Sequence, residues 1–185
     1  IESSENEENI VESEMTNLQR DFAQTVVKNH LVSLPDISAS KMKINNFLTS
    51  IHKILCHPFL VPELESDCLA QYRELNGISK NSQLDTINEM NSIIASSGKM
   101  ILFDKLIHKL KEEKHKILVF SSMKKMLDII ENYLILKEYL YERLDGSYSV
   151  NKRAFSIERF QKFDEVFIIL LSPESGGIGV DLTGA

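Results

Sequence analysis

Three short segments of this chain carry groups suited to holding phosphate. Gly176-Gly-Ile-Gly179 places three glycines within four residues. Without Cβ atoms, Gly176, Gly177 and Gly179 let the main chain approach a phosphate or ribose closely, adopt positive φ where needed and turn amide donors outward. Small hydroxyls and basic side chains gather nearby in the sequence: Ser121, Ser122, Lys124 and Lys125; then Ser147, Lys152 and Arg153; then Ser172. Hydroxyls, backbone amides and Lys or Arg offered from loops and helix starts are the groups that grip a nucleic-acid backbone. Taken singly, each has a plainer reading. The glycine run fits a structural turn, Ser122 a cap for a helix beginning at Met123, Asp145-Gly146 an ordinary turn, and the lysines solvated charge.

The elements ahead of these segments give them meaning. Leu102, Leu106 and Leu110 with Phe103 and Ile107 predict a helix, and Lys116–Phe120 a buried strand. The alternation repeats: Met123, Met126, Leu127, Ile130 and Leu134 form a helical face, Tyr139–Arg143 a short strand, Asn151–Lys162 a helix, and Val166–Leu171 an almost wholly apolar strand. Apolar strands separated by amphipathic helices imply an α/β fold with a parallel sheet covered on both faces. Functional groups in such a sheet gather at its carboxyl edge, so Phe120, Arg143 and Leu171 should deliver their trailing loops to one ridge. Upstream, Leu18, Phe22, Val26, Val27 and Leu31 predict a helix over Met15–Leu34, capped by Thr16 and closed by Pro35. A second helix runs from Ser40, with Ile44, Phe47, Leu48, Ile51, Ile54 and Leu55 on one face, until Pro58. Each has one apolar face to hide, so the two should pack together. Glu63 to Ser97 loosens into a connecting insertion with one short helix near Leu84–Ile94.

Composition sets the class. At 185 residues, 43% hydrophobic and 26% charged, the chain can bury a sizeable core. No apolar run approaches the ~18 residues of a membrane span, and the opening lacks the basic-then-apolar plan of a signal peptide. The expectation is an intracellular, soluble protein with no membrane partner. The net charge of −6 is local, because residues 1–14 hold six glutamates and no basic residue. Setting those six aside leaves 21 acidic residues against 21 Lys and Arg. Ile1–Asn9 reads as a solvated arm. Cys56 and Cys68 read as reduced thiols, and His52-x-x-x-Cys56-His57 with a distant Cys68 fits no common zinc pattern.

In this order and spacing the segments resemble the second lobe of the Swi/Snf-type members of helicase superfamily two. Ser97-Gly-Lys-Met100 resembles the Ser-Gly-Lys that opens that lobe, and Lys116-Ile-Leu-Val-Phe-Ser-Ser-Met-Lys-Lys-Met-Leu-Asp128 the strand and helix around Phe-Ser-Gln-Met. Tyr141-Glu-Arg-Leu-Asp-Gly-Ser147 is similar to Tyr-x-Arg-x-Asp-Gly, and Gly176-Gly-Ile-Gly-Val-Asp-Leu-Thr183 to the glycine-rich motif five. Met15-Thr-Asn-Leu-Gln-Arg20 and Cys56-His-Pro-Phe-Leu60 resemble Met-Ser-x-Leu-Gln and Asn-His-Pro-Tyr-Leu. The Glu142-Arg-Leu-Asp-Gly146 wording and His57-Pro-Phe-Leu-Val-Pro-Glu63 lean toward the chromodomain-helicase-DNA-binding branch, whereas Gly179-Val-Asp-Leu-Thr-Gly-Ala185 leans toward the Rad-type repair translocases.

The resemblance implies a RecA-like, P-loop NTPase-type second lobe, incomplete after motif five and preceded by a helical bridging or protrusion region. It divides the chain into an acidic arm and last strand of a preceding lobe (1–14), a helical bridge (15–62), an insertion or linker (63–96) and the second lobe (97–185). It implies ATP contacts from Gly177, Gly179 and Asp181, with Asp181 equally readable as a helix cap or surface acid. Nucleic-acid contacts are implied for Ser121, Ser122, Lys124, Ser147, Arg153 and Ser172. The intact motor would be a nuclear chromatin remodeller using ATP and Mg2+, with double-stranded DNA, the nucleosome and chromatin-complex subunits as partners. No stacking platform for single strands is evident, which suits a duplex tracked by its backbone.

Departures matter too. Where the family has roughly Ser-Thr-Arg-Ala-Gly-Gly, this chain has Ser172-Pro-Glu-Ser-Gly-Gly177, replacing a hydroxyl with Pro173 and a base with Glu174, and Ser122 stands in place of the usual Gln. No Gly-x-x-x-x-Gly-Lys-Ser/Thr loop, Asp-Glu pair after a strand or arginine finger occurs, so this chain alone would not hydrolyse ATP. A catalytically silent DNA-binding or scaffold subunit, or an unrelated parallel α/β domain, are the competing readings.

Overall fold

The computed structural model describes residues 8–32, 40–79, 85–144, 146 and 149–173; Ser147, Glu174, the glycines at 176, 177 and 179, and Asp181 lie outside them. Among the described residues seven helices and three strands follow in the order α1 (Asn17–Val32), α2 (Ser40–Cys56), a 3₁₀ turn (Pro58–Leu60), α3 (Pro62–Leu75), α4 (Thr86–Ala95), α5 (Gly98–Glu112), β1 (Ile117–Phe120), α6 (Lys124–Leu136), β2 (Tyr141–Leu144), α7 (Val150–Lys162) and β3 (Ile168–Leu171). Among the described residues no helix is long and apolar enough to cross a membrane.

Local chemistry sets most helix starts. Thr16 and Gln19 form a reciprocal capping box at α1, each side-chain oxygen accepting the other's amide at 3.1 Å. Asp85 accepts from Asn88 N at α4, Ser97 from Met100 N at α5, and Ser149 from Lys152 N at α7. Pro62 opens α3, where a missing N–H costs nothing. The loose insertion therefore holds two helices rather than one. Only Cys68 of α3 is buried, and so thin an apolar stripe gives little periodic signal. As expected, α1 and α2 pack on each other, with the His30 ring stacked on Phe47 at a 4.2 Å centroid distance.

The sheet is parallel with strand order β1-β3-β2. Its centre, β3, is buried along its whole length, and its side chains alternate between two cores. Ile168 and Leu170 face Met100 and Ile107 of α5 and Leu127, Ile130, Tyr133 and Leu134 of α6. Ile169 and Leu171 face Leu144 and Phe160 of α7. β1, expected to be fully buried, is instead a half-buried edge strand, and Phe120 at its tip is 60% exposed. Among the described residues it pairs with β3 alone, and α7 lies over β2.

Buried polar links fix the helices to the sheet. Asp104 of α5 accepts from Tyr133 Oη at 2.6 Å and pairs with Lys137 Nζ at 2.8 Å. Burial opposes ionisation of Asp104, but these donors outweigh it and hold its carboxyl below the usual range, while burial and Asp104 push the Tyr133 phenol up. Lys116, just ahead of β1, donates to the carbonyls of Phe160, Phe163 and Val166 at 2.7, 2.6 and 3.0 Å, closing the end of α7.

Candidate nucleic-acid interface

Parallel pairing brings three strand ends to one ridge. Phe120 and Leu144 are both in register with Leu171. The ladder runs one residue further on each side: Ser121 N donates to Leu171 O at 3.2 Å, and Ser172 N to Leu144 O at 3.2 Å. The three segments that carry the phosphate-suited residues therefore leave the sheet side by side, as the sequence required.

Within that ridge the side chains divide. The half-buried Ser121 Oγ accepts from Met123 N at 3.2 Å and lies 3.3 Å from Met123 O, so it shapes the turn into α6. Ser122, expected to cap α6, is exposed; Met123 is the capping residue and supplies no side-chain acceptor. Short reach explains the correction, because Ser121 already holds the amide that leads into the helix. Ser172 is buried beneath the edge. Lys124 and Lys125 are exposed, Lys152 is exposed and Arg153 half-buried, all in the first turns of α6 and α7.

That placement runs against helix electrostatics. Amide ends make a helix N-terminus positive, and a cation there costs roughly 0.3–1 kcal/mol. α3 and α4 obey the rule, with Glu63 and Glu65 in the first turn of one and Asp85 and Glu89 at the start of the other. α6 and α7 carry no acid in the first turn and a basic pair each. α5 likewise has a base, Lys99, and no acid in its first turn, so what sets α6 and α7 apart is their place just beyond the ends of β1 and β2. α6 and α7 each begin a few residues beyond a strand end, β1 and β2, and a bound anion at either start would be favoured by the helix end and its basic pair. Phe120, on the same ridge, is exposed, although an apolar strand residue reads as core in the sequence.

Ion pairs hold β2 in place beneath the ridge. Arg143, 9% exposed, is held by Asp128 at 2.6 Å and by Glu131, both on α6, and Glu131 also accepts from Tyr141 Oη at 2.8 Å. Burial opposes the Arg143 charge, yet the two carboxylates raise its pKa overall. On the other face Glu142 pairs with Arg159 of α7 at 2.8 Å. Neighbouring charges on one strand thus tie it to a helix on each side. Among the described residues no group of three or more His, Cys, Asp or Glu could hold a metal ion.

A second polar cluster joins segments far apart in sequence. Gln19 is 1% exposed; its Nε2 donates to Ile54 O at 2.8 Å and Leu55 O at 3.2 Å, and its Oε1 accepts from Gly98 N at 3.0 Å besides Thr16 N. Thr16 Oγ1 donates to Ser96 O at 3.3 Å, and Ser97 Oγ to Cys56 O at 2.8 Å. His57 is fully buried: Nδ1 accepts from Phe59 N at 3.1 Å, so Nε2 carries the proton that reaches Ile93 O at 2.9 Å. Burial lowers its pKa to about 4 against that one opposing hydrogen bond. Three of the family-like segments, Met15–Arg20, Cys56–Leu60 and Ser97–Met100, are thus one interlocked clasp.

Residues 98–185 match the helicase conserved C-terminal domain family. Over 183 residues the chain is 36% identical to chromodomain-helicase-DNA-binding protein 9 of Mus musculus, covering 97% of this chain and 6% of that protein. Over 182 residues it is 36% identical to chromodomain-helicase-DNA-binding protein 8 of Homo sapiens, covering 97% and 7%. The chain therefore spans well under a tenth of the length of these relatives. Among solved structures it is similar to the Sulfolobus solfataricus SWI2/SNF2 ATPase C-terminal domain, with a TM-score of 0.68, 26% identity, and 95% of this chain and 67% of that chain covered. The C-terminal part of the Fun30 ATPase domain shares the fold, with a TM-score of 0.67, 22% identity, and 95% and 72% covered.

Proposed function

Because the chain belongs to the Swi/Snf-type helicase-like ATPases, we propose that in the intact protein it forms part of an ATP-dependent DNA translocase that remodels chromatin. In this reading residues 97–185 are the second RecA-like lobe, 15–62 a helical bridge and 63–96 an insertion. One observation carries it: three parallel strands end in register at one edge, and α6 and α7, which begin just beyond β1 and β2, carry Lys124, Lys125, Lys152 and Arg153 in their first turns. That ridge suits the sugar-phosphate backbone of a duplex, which needs cations and amides but no base readout. The curated relatives' names, as DNA-binding helicases of chromatin, support this partner and a nuclear location. ATP would lie against Gly177, Gly179 and Asp181, and the groups for Mg2+ and for the transition state would come from elsewhere in the intact protein.

The test is DNA-stimulated ATPase and DNA binding by the intact protein, before and after replacing Lys124, Lys125, Lys152 and Arg153 with alanine. The expected result is weaker binding with a salt dependence flatter by about 0.9 for each phosphate no longer neutralised. Unchanged affinity and slope would remove the ridge from the interface. A second reading rests on Pro173: directly after Ser172 at the ridge, it brings neither hydroxyl nor N–H. It favours a catalytically silent DNA-binding or scaffold subunit. Wild-type protein that binds DNA without DNA-stimulated ATPase would establish that reading instead.

A further inference from the structure

Gln19 stands 79 residues before Gly98, and α2, α3 and α4 separate them along the chain. In space the separation vanishes. Through Thr16 and Gln19 the segment leading into α1 is hydrogen-bonded to Ser96 O and Gly98 N, the start of α5. At Gly98 the contact is main chain on main chain: a Cβ built there would lie 1.7 Å from Glu14 O. α5 in turn packs Met100 and Ile107 against Ile168 and Leu170 of β3, whose far end joins the ridge.

This clasp shortens the mechanical path. A displacement arriving along residues 8–15 would otherwise follow the chain through α1, α2, α3 and α4 before reaching α5 and the sheet. Through Gln19 it passes to the first turn of α5 and then into a close-packed core, which transmits strain. Gln19 is also bonded on every side-chain polar atom, so the joint has one arrangement rather than several. We infer that Gln19 is a positioning residue that couples the incoming segment directly to α5 and the central strand, so that movement of whatever precedes this segment is delivered to the DNA-facing ridge. The inference rests on the motor reading above.

The experiment uses the intact protein with Gln19→Ala, and Thr16→Val as a milder companion that loses the hydroxyl but keeps its shape. DNA-stimulated ATPase and base pairs translocated per ATP are measured together, with hydrogen exchange of the β3 amides as the check on folding. The expected result is a coupling ratio lowered by about ten-fold or more in Gln19→Ala, less in Thr16→Val, with KM for DNA and β3 protection unchanged. An unchanged ratio in both variants overturns the inference, as does a proportional fall of hydrolysis and translocation with loss of β3 protection, which marks a merely structural residue. Wild-type protein lacking DNA-stimulated ATPase overturns the motor reading, and this inference with it.

Discussion

Gly98 occupies the first position of α5, where ordinary helix propensity says that alanine should be better by about 1 kcal/mol. The tertiary structure reverses that sign. An alanine Cβ would meet Glu14 O at 1.7 Å and its carbonyl carbon at 2.9 Å, and neither belongs to a side chain that can turn away. Relief to 3.0 Å requires about 1.3 Å of relative movement between the incoming segment and α5. Overpacking of this kind costs about 1–3 kcal/mol. The same movement endangers the hydrogen bonds from Gly98 N to Gln19 and from Thr16 to Ser96, each worth about 1 kcal/mol. Against the propensity gain, Gly98→Ala should lose about 2–4 kcal/mol, and for a chain of this size the melting temperature should fall by about 5–15 °C. With no tryptophan in the chain, urea unfolding followed by far-UV circular dichroism is the suitable assay. A control locates the cause: in a chain beginning at Met15 the obstructing carbonyl is gone, and Gly98→Ala should become neutral or stabilising. A stabilised variant of the 185-residue chain would refute the reasoning, and so would equal destabilisation in both backgrounds.

Three further outcomes follow from the buried polar groups. His57 has a folded pKa of about 4 against 6.5 unfolded, so between those values only the unfolded chain binds the proton. Stability is therefore present above pH 6.5 and lost as pH falls toward 4, by about 1.4 kcal/mol per unit and about 3 kcal/mol in all; a His57→Gln variant with the same pH 7 to pH 5 loss in urea midpoint as the parent would contradict this. Lys116→Met strips the carbonyls of Phe160, Phe163 and Val166 of their donor and should cost about 1–3 kcal/mol, with hydrogen exchange rising in the last turn of α7. Arg143→Met takes the guanidinium from Asp128 and leaves Glu131 with Tyr141 Oη, and because both carboxylates are partly exposed it should cost about 1–3 kcal/mol. Thermal melts showing no larger loss for Arg143→Met than for Lys124→Ala would dismiss the ion-pair account of β2.

The sequence by itself determined what depends on near neighbours. Apolar periodicity located six of the seven helices and all three strands within a few residues, since both signals repeat within one or two turns. It failed at α3, whose single buried residue leaves no periodic stripe, and it chose Ser122 over Ser121 as the group shaping the turn into α6, because adjacent serines look alike until the backbone path is known. Motif order named the ridge, and the parallel direction of the strands, which puts every carboxyl end at the same edge, made it the expected outcome. Only tertiary structure decided the order β1-β3-β2, the exposure of Phe120 and the meaning of the basic first turns, which depends on two helices starting at one edge. It alone showed Gln19, His57, Ser97 and Gly98 to be one clasp. Contacts between residues some 35 to 80 positions apart leave no periodicity in the chain, and a hydrogen bond across that distance exists only once packing has brought its partners together.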